Sequence, residues 1–231
     1  MSDQPNPSGR AALPEVLPIF PLTGVLLLPR GRLPLNIFEP RYLAMIRDAL
    51  GGERLIGMIQ PSEPQRDNLG QGALNPPLYP IGCAGRITQF AETDDNRFLI
   101  TLTGISRFRI VEELPLLSGY RRVIPDWQPF AHDLAAAGDA DLDRARLIRG
   151  LKGYFAQRRL SADWKAIDKA PSEYLVTSIA MACPFAPSEK QALLEAADLG
   201  ERARLLTTLV EMAAIEPSSG EDNGGVGGTR H

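Results

Sequence analysis

Cysteine, histidine and lysine are all scarce in this 231-residue chain, and each scarcity removes a class of chemistry. Cys83 and Cys183 are the only two cysteines; they support neither a disulfide framework nor a cysteine zinc site, and a reducing compartment is the simpler setting. Two histidines, His132 and His231, are too few to build a zinc or iron centre. None of the four lysines (Lys152, Lys165, Lys169 and Lys190) follows a glycine, so the Gly-Lys-Ser/Thr core of a phosphate-binding loop is absent. "GQGALN" at residues 70–75 begins like a dinucleotide fingerprint but lacks the third glycine. Long apolar runs are missing too. Nothing approaches the roughly 20 residues of a membrane span, and the opening MSDQPNPSGRAALPE lacks the basic-then-apolar order of a signal peptide. The expectation is a soluble, cytoplasmic protein that needs no metal and no cofactor and meets no membrane.

Nucleophilic chemistry fares no better. "GISRF" at residues 104–108 is the nearest approach to a nucleophile elbow, but it lacks the second glycine and runs into a strand. Composition leaves a Ser–Lys dyad open, with Ser106 and Ser188 the serines considered. Lys190 follows an expected helix cap, which predicts a solvated position. Glu112-Glu113 and Asp94-Asp95 are adjacent pairs, and strand neighbours point to opposite faces. Cys83 lies among Gly and Ala and reads as a small buried hydrophobe. The chain is therefore expected not to be an enzyme.

What is present is an ordinary globular composition, 44% hydrophobic and 23% charged, in two successive patterns. Residues 1–13 and 217–231 are polar, rich in Gly, Ser and Pro, and expected to be disordered. Residues 14–126 carry short apolar runs at 16–20, 25–29 and 54–59, then "IGCAGRITQFAE" and "NRFLITLTG" joined through Asp94-Asp95 as a hairpin. In "SRFRIVEEL" the alternation puts Phe108 and Ile110 inward and Arg107 and Arg109 outward. "GYRRVIPDW" adds a strand. One helix interrupts this series at about 40–50, opened by Pro40, with Tyr42, Leu43, Ile46 and Leu50 at helical spacing. Residues 61–79 form a long Pro- and Gly-rich loop. Residues 127–138 connect to a helical region at 139–216. Its stripes are Leu147, Ile148, Leu151, Tyr154 and Phe155; Leu175, Val176, Ile179, Ala180 and Cys183; and Leu205, Leu206, Leu209, Val210 and Ala213. Ser188 with Gln191, and Asp198 with Glu201, have capping-box spacing. The expected class is α+β, a β-rich lobe followed by a helical bundle.

Several of these segments resemble one family. "LPIFPLTGVLLLPRGRLPLNIFEPRYLAMI" is similar to the opening of the Lon protease N-terminal, substrate-binding domain. "LYPIGCAGRI", "LTGISRFRI", "GYRRVIPDW" and "EKQALLEAADLGERARLLTTLVEM" resemble later segments of that domain. The resemblance covers roughly residues 14–216. It implies a PUA-like β-pseudobarrel with an attached helical bundle, and a bacterial, non-catalytic module that binds unfolded or client polypeptide. A full Lon protease continues into ATPase and Ser–Lys peptidase modules, and this chain stops where they would begin. The resemblance thus implies a stand-alone copy, related to ATP-dependent (S16-type) peptidases without their active sites and accessory to a protease or chaperone in protein quality control.

The candidate peptide-binding residues are Phe38, Tyr42, Pro76, Pro77, Leu78 and Tyr79. The corner position of Phe38 and Tyr42 argues that both are core instead, Phe38 above all. Glu39, Pro40 and Arg41 read as structure: a helix start pinned by a Glu39–Arg41 ion pair or by the helix dipole. PUA-like folds also include RNA binders, which gives an alternative reading. A net charge of −3 with scattered arginines does not favour it, and no nucleic acid is expected. A cryptic hydrolase is the second alternative.

Overall fold

In the computed structural model of the chain, residues 13–62, 76–135 and 142–215 are described. The tails, the middle of the 61–79 loop with "GQGALN", and residues 136–141 lie outside them. Six strands form one sheet: β1 (Leu17–Pro21), β2 (Arg32–Ile37), β3 (Leu55–Ile59), β4 (Ile81–Glu92), β5 (Phe98–Leu117) and β6 (Tyr120–Asp126). Their order is β2-β5-β4-β3-β1-β6, and β6 also returns to β5. The first half of β5 lies between β2 and β4, and its second half pairs with β6. That closure makes a barrel of β5, β4, β3, β1 and β6 and leaves β2 as an appended edge strand.

The barrel interior takes one face of each of its strands: Leu17, Ile19, Leu55, Ile59, Ala84, Phe108 and Val123. The opposite faces supply Phe20, Ile56, Met58 and Cys83 to a larger core, which continues through Tyr42, Met45 and Ile46 into Leu147, Leu151, Val176, Leu193, Leu206 and Val210. The same period-2 strands therefore feed two cores, and neither face of the barrel's middle meets water. The expected hairpin joins β4 to β5 through residues 93–97, with the Thr93 N–H donating to the Arg97 carbonyl at 2.9 Å. Residues 25–29, expected to be strand, join no sheet, yet Leu26, Leu27 and Leu28 are all buried.

α1 (Pro40–Gly51) opens on Pro40 and buries Tyr42, Met45, Ile46 and Ala49. Leu43 and Leu50, expected in that stripe, are only partly buried. The remaining helices are α2 (Arg144–Gln157), α3 (Trp164–Lys169), α4 (Ser172–Ala182), α5 (Pro187–Glu195) and α6 (Leu199–Ile215). α3 has no counterpart in the sequence reading; six residues are too few for a stripe, and only the Asp163 cap announces it. α5 starts one residue before the expected Ser188 cap, because Pro187 fits the first turn and Glu189 accepts the Ala186 N–H at 2.7 Å. At α6 half of the expected device forms: the Glu201 N–H donates to Asp198 at 2.8 Å, while the Glu201 carboxylate accepts one residue earlier than the box requires, from the Ala197 N–H at 2.6 Å.

Two expectations about charge are overturned where strands meet helices. Arg107 does lie on the face of β5 opposite Phe108, but that face is covered by helices instead of water, and the residue is 1% exposed. Its guanidinium donates to Asp133 Oδ2 and Oδ1 at 2.9 and 3.0 Å, to the Leu194 and Ala196 carbonyls at 3.1 and 2.6 Å, and lies 4.6 Å from the Phe130 ring. Burial alone would push the Asp133 carboxyl up; hydrogen bonds from the Arg107 side chain and N–H outweigh it and hold the group below the usual carboxylate range. Lys190, expected in solvent, is buried and donates to the Gly24 carbonyl at 2.8 Å, and burial lowers its pKa. Gln60 donates to Gln191 at 3.3 Å beside it. This seam fastens the barrel to the bundle with matched polar groups.

Candidate functional site

A cleft of about 550 Å³ lies between the start of β2 and α4. Its β2 wall is Arg32, Leu33 and Pro34, three consecutive residues. Consecutive strand residues point to alternate faces, so a cavity that touches all three runs along the edge of the strand. Among the described residues β2 pairs only with β5, which leaves that edge unpaired. The other wall is one face of α4: Glu173, Tyr174, Thr177, Ser178 and Met181, at one-turn spacing. Tyr174 is 66% exposed.

A glycine holds these walls in place. Gly104, in β5, donates to the Gly31 carbonyl and accepts from the Arg30 N–H, both at 2.8 Å. A Cβ on Gly104 would lie 2.0 Å from the Leu28 carbonyl oxygen, so only glycine lets the 28–31 turn cross β5 this closely. Arg30, in the left-handed region at φ 63°, is thereby turned towards α4. It forms an ion pair with Glu173, its Nε donating to Oε1 at 2.6 Å, and its Nη1 donates to the Asp133 carbonyl at 2.8 Å. Glu173 sits in the first turn of α4, where the helix dipole also favours a carboxylate. Among the described residues Arg32 has no carboxylate or hydrogen-bond partner. Hydroxyls line the cleft, but its one carboxylate is held by Arg30, and it contains no His, Lys or Cys. The arrangement offers an apolar slot with a free cation at its rim.

The residues proposed from the sequence lie elsewhere. Phe38 is 60% exposed, against the expectation that it is core; as the last residue before the Glu39 cap it has left the strand's buried face and lies 5.8 Å from Arg97 of the β4–β5 turn. Tyr42 is 6% exposed, packed 4.2 Å from the Phe20 ring, and burial raises its pKa. The Glu39–Arg41 pair forms, Nη2 to Oε2 at 2.9 Å, and Glu39 makes no side-chain cap. Pro76 accepts from Arg121 at 2.7 Å, Pro77 from the Ser62 N–H at 2.9 Å, Leu78 bridges Pro61, and the Tyr79 N–H donates to the Gln60 carbonyl at 3.0 Å. Arg121 thus ties Pro76 near Tyr42, while Phe38 stands apart at the hairpin. None of these six lines the β2–α4 cleft. Ser106 is fully buried and donates to the Arg107 carbonyl at 3.0 Å; Ser188 is exposed on α5. Cys83 is buried in β4, and burial raises its thiol pKa far from thiolate chemistry. The cleft escaped the sequence reading because its walls are about 140 residues apart in the chain. Pro34 was the one available signal, since proline inside a strand marks an edge.

The ATP-dependent protease La (LON) substrate-binding domain model matches residues 16–212. The chain belongs to this family. The LON substrate-binding domain of this chain is 26% identical over 202 residues to Lon protease 2 of Myxococcus xanthus, covering 86% of the chain and 24% of that protein. The chain spans about a quarter of the length of the curated relatives it matches. Its fold is similar to the Lon N-terminal domain protein from Xanthomonas campestris (TM-score 0.56, 21% identity) and to the N-terminal domain of a Mycobacterium avium complex Lon protease (TM-score 0.58, 20% identity). Each alignment covers 84% of this chain and 97% of the solved one. The α+β class expected from the sequence is thus the class of the structure and of its neighbours. No helix among the described residues is long and apolar enough to cross a membrane.

Proposed function

We propose that the chain is a non-catalytic polypeptide-binding module of the Lon type, acting in the cytoplasm as an accessory to proteolysis or protein quality control. One observation carries the reading: the cleft along the free edge of β2. An extended client segment laid there adds backbone hydrogen bonds at the strand edge and seats alternate side chains against α4. The pairing is short. The Arg30–Gly31 turn and the register with β5 direct Leu33, Leu35 and Ile37 inward, which leaves Arg32, Pro34 and Asn36 facing the open edge, and Pro34 has no N–H to give. A client is therefore held by side chains as much as by backbone, which suits a module that must release what it binds. The family match supplies the kind of client, since the matching family is a substrate-binding domain.

The test is retention of a chemically unfolded model protein on the immobilised chain, with Tyr174→Ala and Met181→Arg variants beside the wild type. Retention that falls in both variants supports the cleft. Retention no greater than on a control resin removes the reading. Retention indifferent to both substitutions moves the binding surface elsewhere, with exposed Phe38 the next residue to change.

A further inference from the structure

The cleft's charges select among clients. Six charged groups are linked around its inner end: Arg30 and Glu173 pair in the lining, Arg30 reaches the Asp133 carbonyl, Arg107 takes the Asp133 carboxylate, and Arg202 lies close enough for Glu173, Asp133 and Asp198 all to act on it. With Arg32 at the rim, these are four guanidiniums against three carboxylates. All three carboxylates are committed, Glu173 to Arg30, Asp133 to Arg107 and Asp198 to the Glu201 N–H. Arg202 is buried, its Nε donates to the Leu193 carbonyl at 2.8 Å, and its Nη2 has no partner. The unmatched positive charge therefore sits at the rim, on Arg32, which is exposed and whose side chain has no partner among the described residues. The chain as a whole is acidic at −3, so this local sign runs against the average.

We propose that the cleft takes an extended polypeptide segment in which an acidic side chain neighbours an apolar one. The carboxylate meets Arg32 and the apolar group lies against Pro34, Tyr174 and Met181. This deepens, and rests on, the polypeptide-binding reading above. A planar guanidinium offers two parallel donors to a carboxylate, which a client amide cannot match. A basic client side chain meets Arg32 as a like charge, which disfavours it modestly at an exposed rim. The missing N–H of Pro34 weakens sequence-blind pairing along the edge and so raises the share of affinity that Arg32 controls.

The experiment uses the full 231-residue chain and three fluorescein-labelled octapeptides identical except at one position flanked by Leu and Val, carrying Glu, Gln or Lys. Binding is read by anisotropy at low and high salt, with wild type and Arg32→Glu, both confirmed folded by circular dichroism. The wild type is expected to bind the Glu peptide about fivefold tighter than the Gln peptide and to bind the Lys peptide weakest, with the differences shrinking in high salt. Arg32→Glu is expected to reverse the order of the Glu and Lys peptides. Equal affinities for the three peptides, or an order that Arg32→Glu leaves unchanged, overturn the acidic preference while the polypeptide-binding reading stands. No binding by any of the peptides at any salt, while an unfolded protein is retained, likewise overturns this inference alone. Absence of both overturns it together with the reading beneath it.

Discussion

Two arginines seventy-five residues apart, Arg107 on β5 and Arg32 on its edge partner β2, have surroundings that differ in every respect that matters. Arg107 is enclosed and spends its donors on Asp133, on the Leu194 and Ala196 carbonyls, and on His132 Nε2 at 2.9 Å. Arg32 is exposed and has no partner among the described residues. Arg107 itself is saturated, as a buried charge in a structural joint must be, because a buried charge without a partner costs far more than the pair returns. The cleft at Arg32 is unsaturated, and there an open valence costs little because water fills it until a ligand does. Saturation separates what the fold needs from what a client could use, and Arg30 belongs to both sides, holding the Asp133 carbonyl with one nitrogen and Glu173 with others.

The strongest way to break this contrast is at the seam. Arg107→Ala is expected to cost about 3–5 kcal/mol in urea denaturation, because it strands the Asp133 carboxylate in the interior. The double variant Arg107→Met with Asp133→Leu should recover a large part of that loss. A cost below 1 kcal/mol for the single variant would mean that water already reaches Asp133. The same pair makes a pH prediction. The folded Asp133 pKa lies below the unfolded value near ~3.9, so its contribution is whole above ~3.9 and drains away as pH falls towards the folded value. The Asp133→Asn variant should show a shallower loss of stability below about pH 4 than the wild type.

Gly104→Ala comes next. The new methyl would lie 2.0 Å from the Leu28 carbonyl oxygen, so the 28–31 turn must move. A loss of about 1–3 kcal/mol is expected, with client retention falling as well because the turn carries Arg30 and leads into Arg32. Stability lost with retention unchanged would uncouple the turn from the cleft. Glu173→Gln sits lower on the scale. It loosens an ion pair whose arginine is nearly half exposed, worth about 0.2–1 kcal/mol by thermal or urea unfolding. It also frees Arg30 as a second unpaired cation, so binding of the Glu peptide should tighten while stability slips. A Glu173→Gln variant that binds the Glu peptide more weakly would show that Glu173 contacts the client.

Local signals carried most of the elements. Pro40 and Gly51-Gly52 bracket α1, Asp94-Asp95 marks the hairpin, and Asp198 with Glu201 opens α6. What escaped was set by tertiary packing. Period-2 alternation correctly put Arg107 opposite Phe108, but alternation names a face and cannot say that α5 and α6 cover it. Lys190 failed in the same way: a helix cap predicts solvent, and the residue faces the Gly24 carbonyl from a distant turn. Residues 25–29 look like strand by composition and are instead an apolar crossing outside the sheet, ending where the Leu28 carbonyl accepts the Gly31 N–H at 2.9 Å. The cleft had no local signature, since its walls come together only when α4 packs beside β2.

The smallest expected effect lies at the corner "PLNIFEPRYLAMI" and separates two aromatic rings four residues apart. Tyr42 packs on Phe20 in the core, and Tyr42→Ala should cost several kcal/mol, on the scale of large core truncations. Phe38 turns away from that core. Phe38→Ser should change stability by less than about 0.5 kcal/mol, because the ring is 60% exposed and the Arg97 guanidinium lies over it only at 5.8 Å. If Phe38→Ser nonetheless lowers retention of an unfolded protein, the client runs beyond the cleft along β2 to its far end, where Ile37 pairs with Phe98 and Phe38 stands exposed. Retention unchanged by Phe38→Ser but lost in Tyr174→Ala would confine the client to the Arg32 end of the strand.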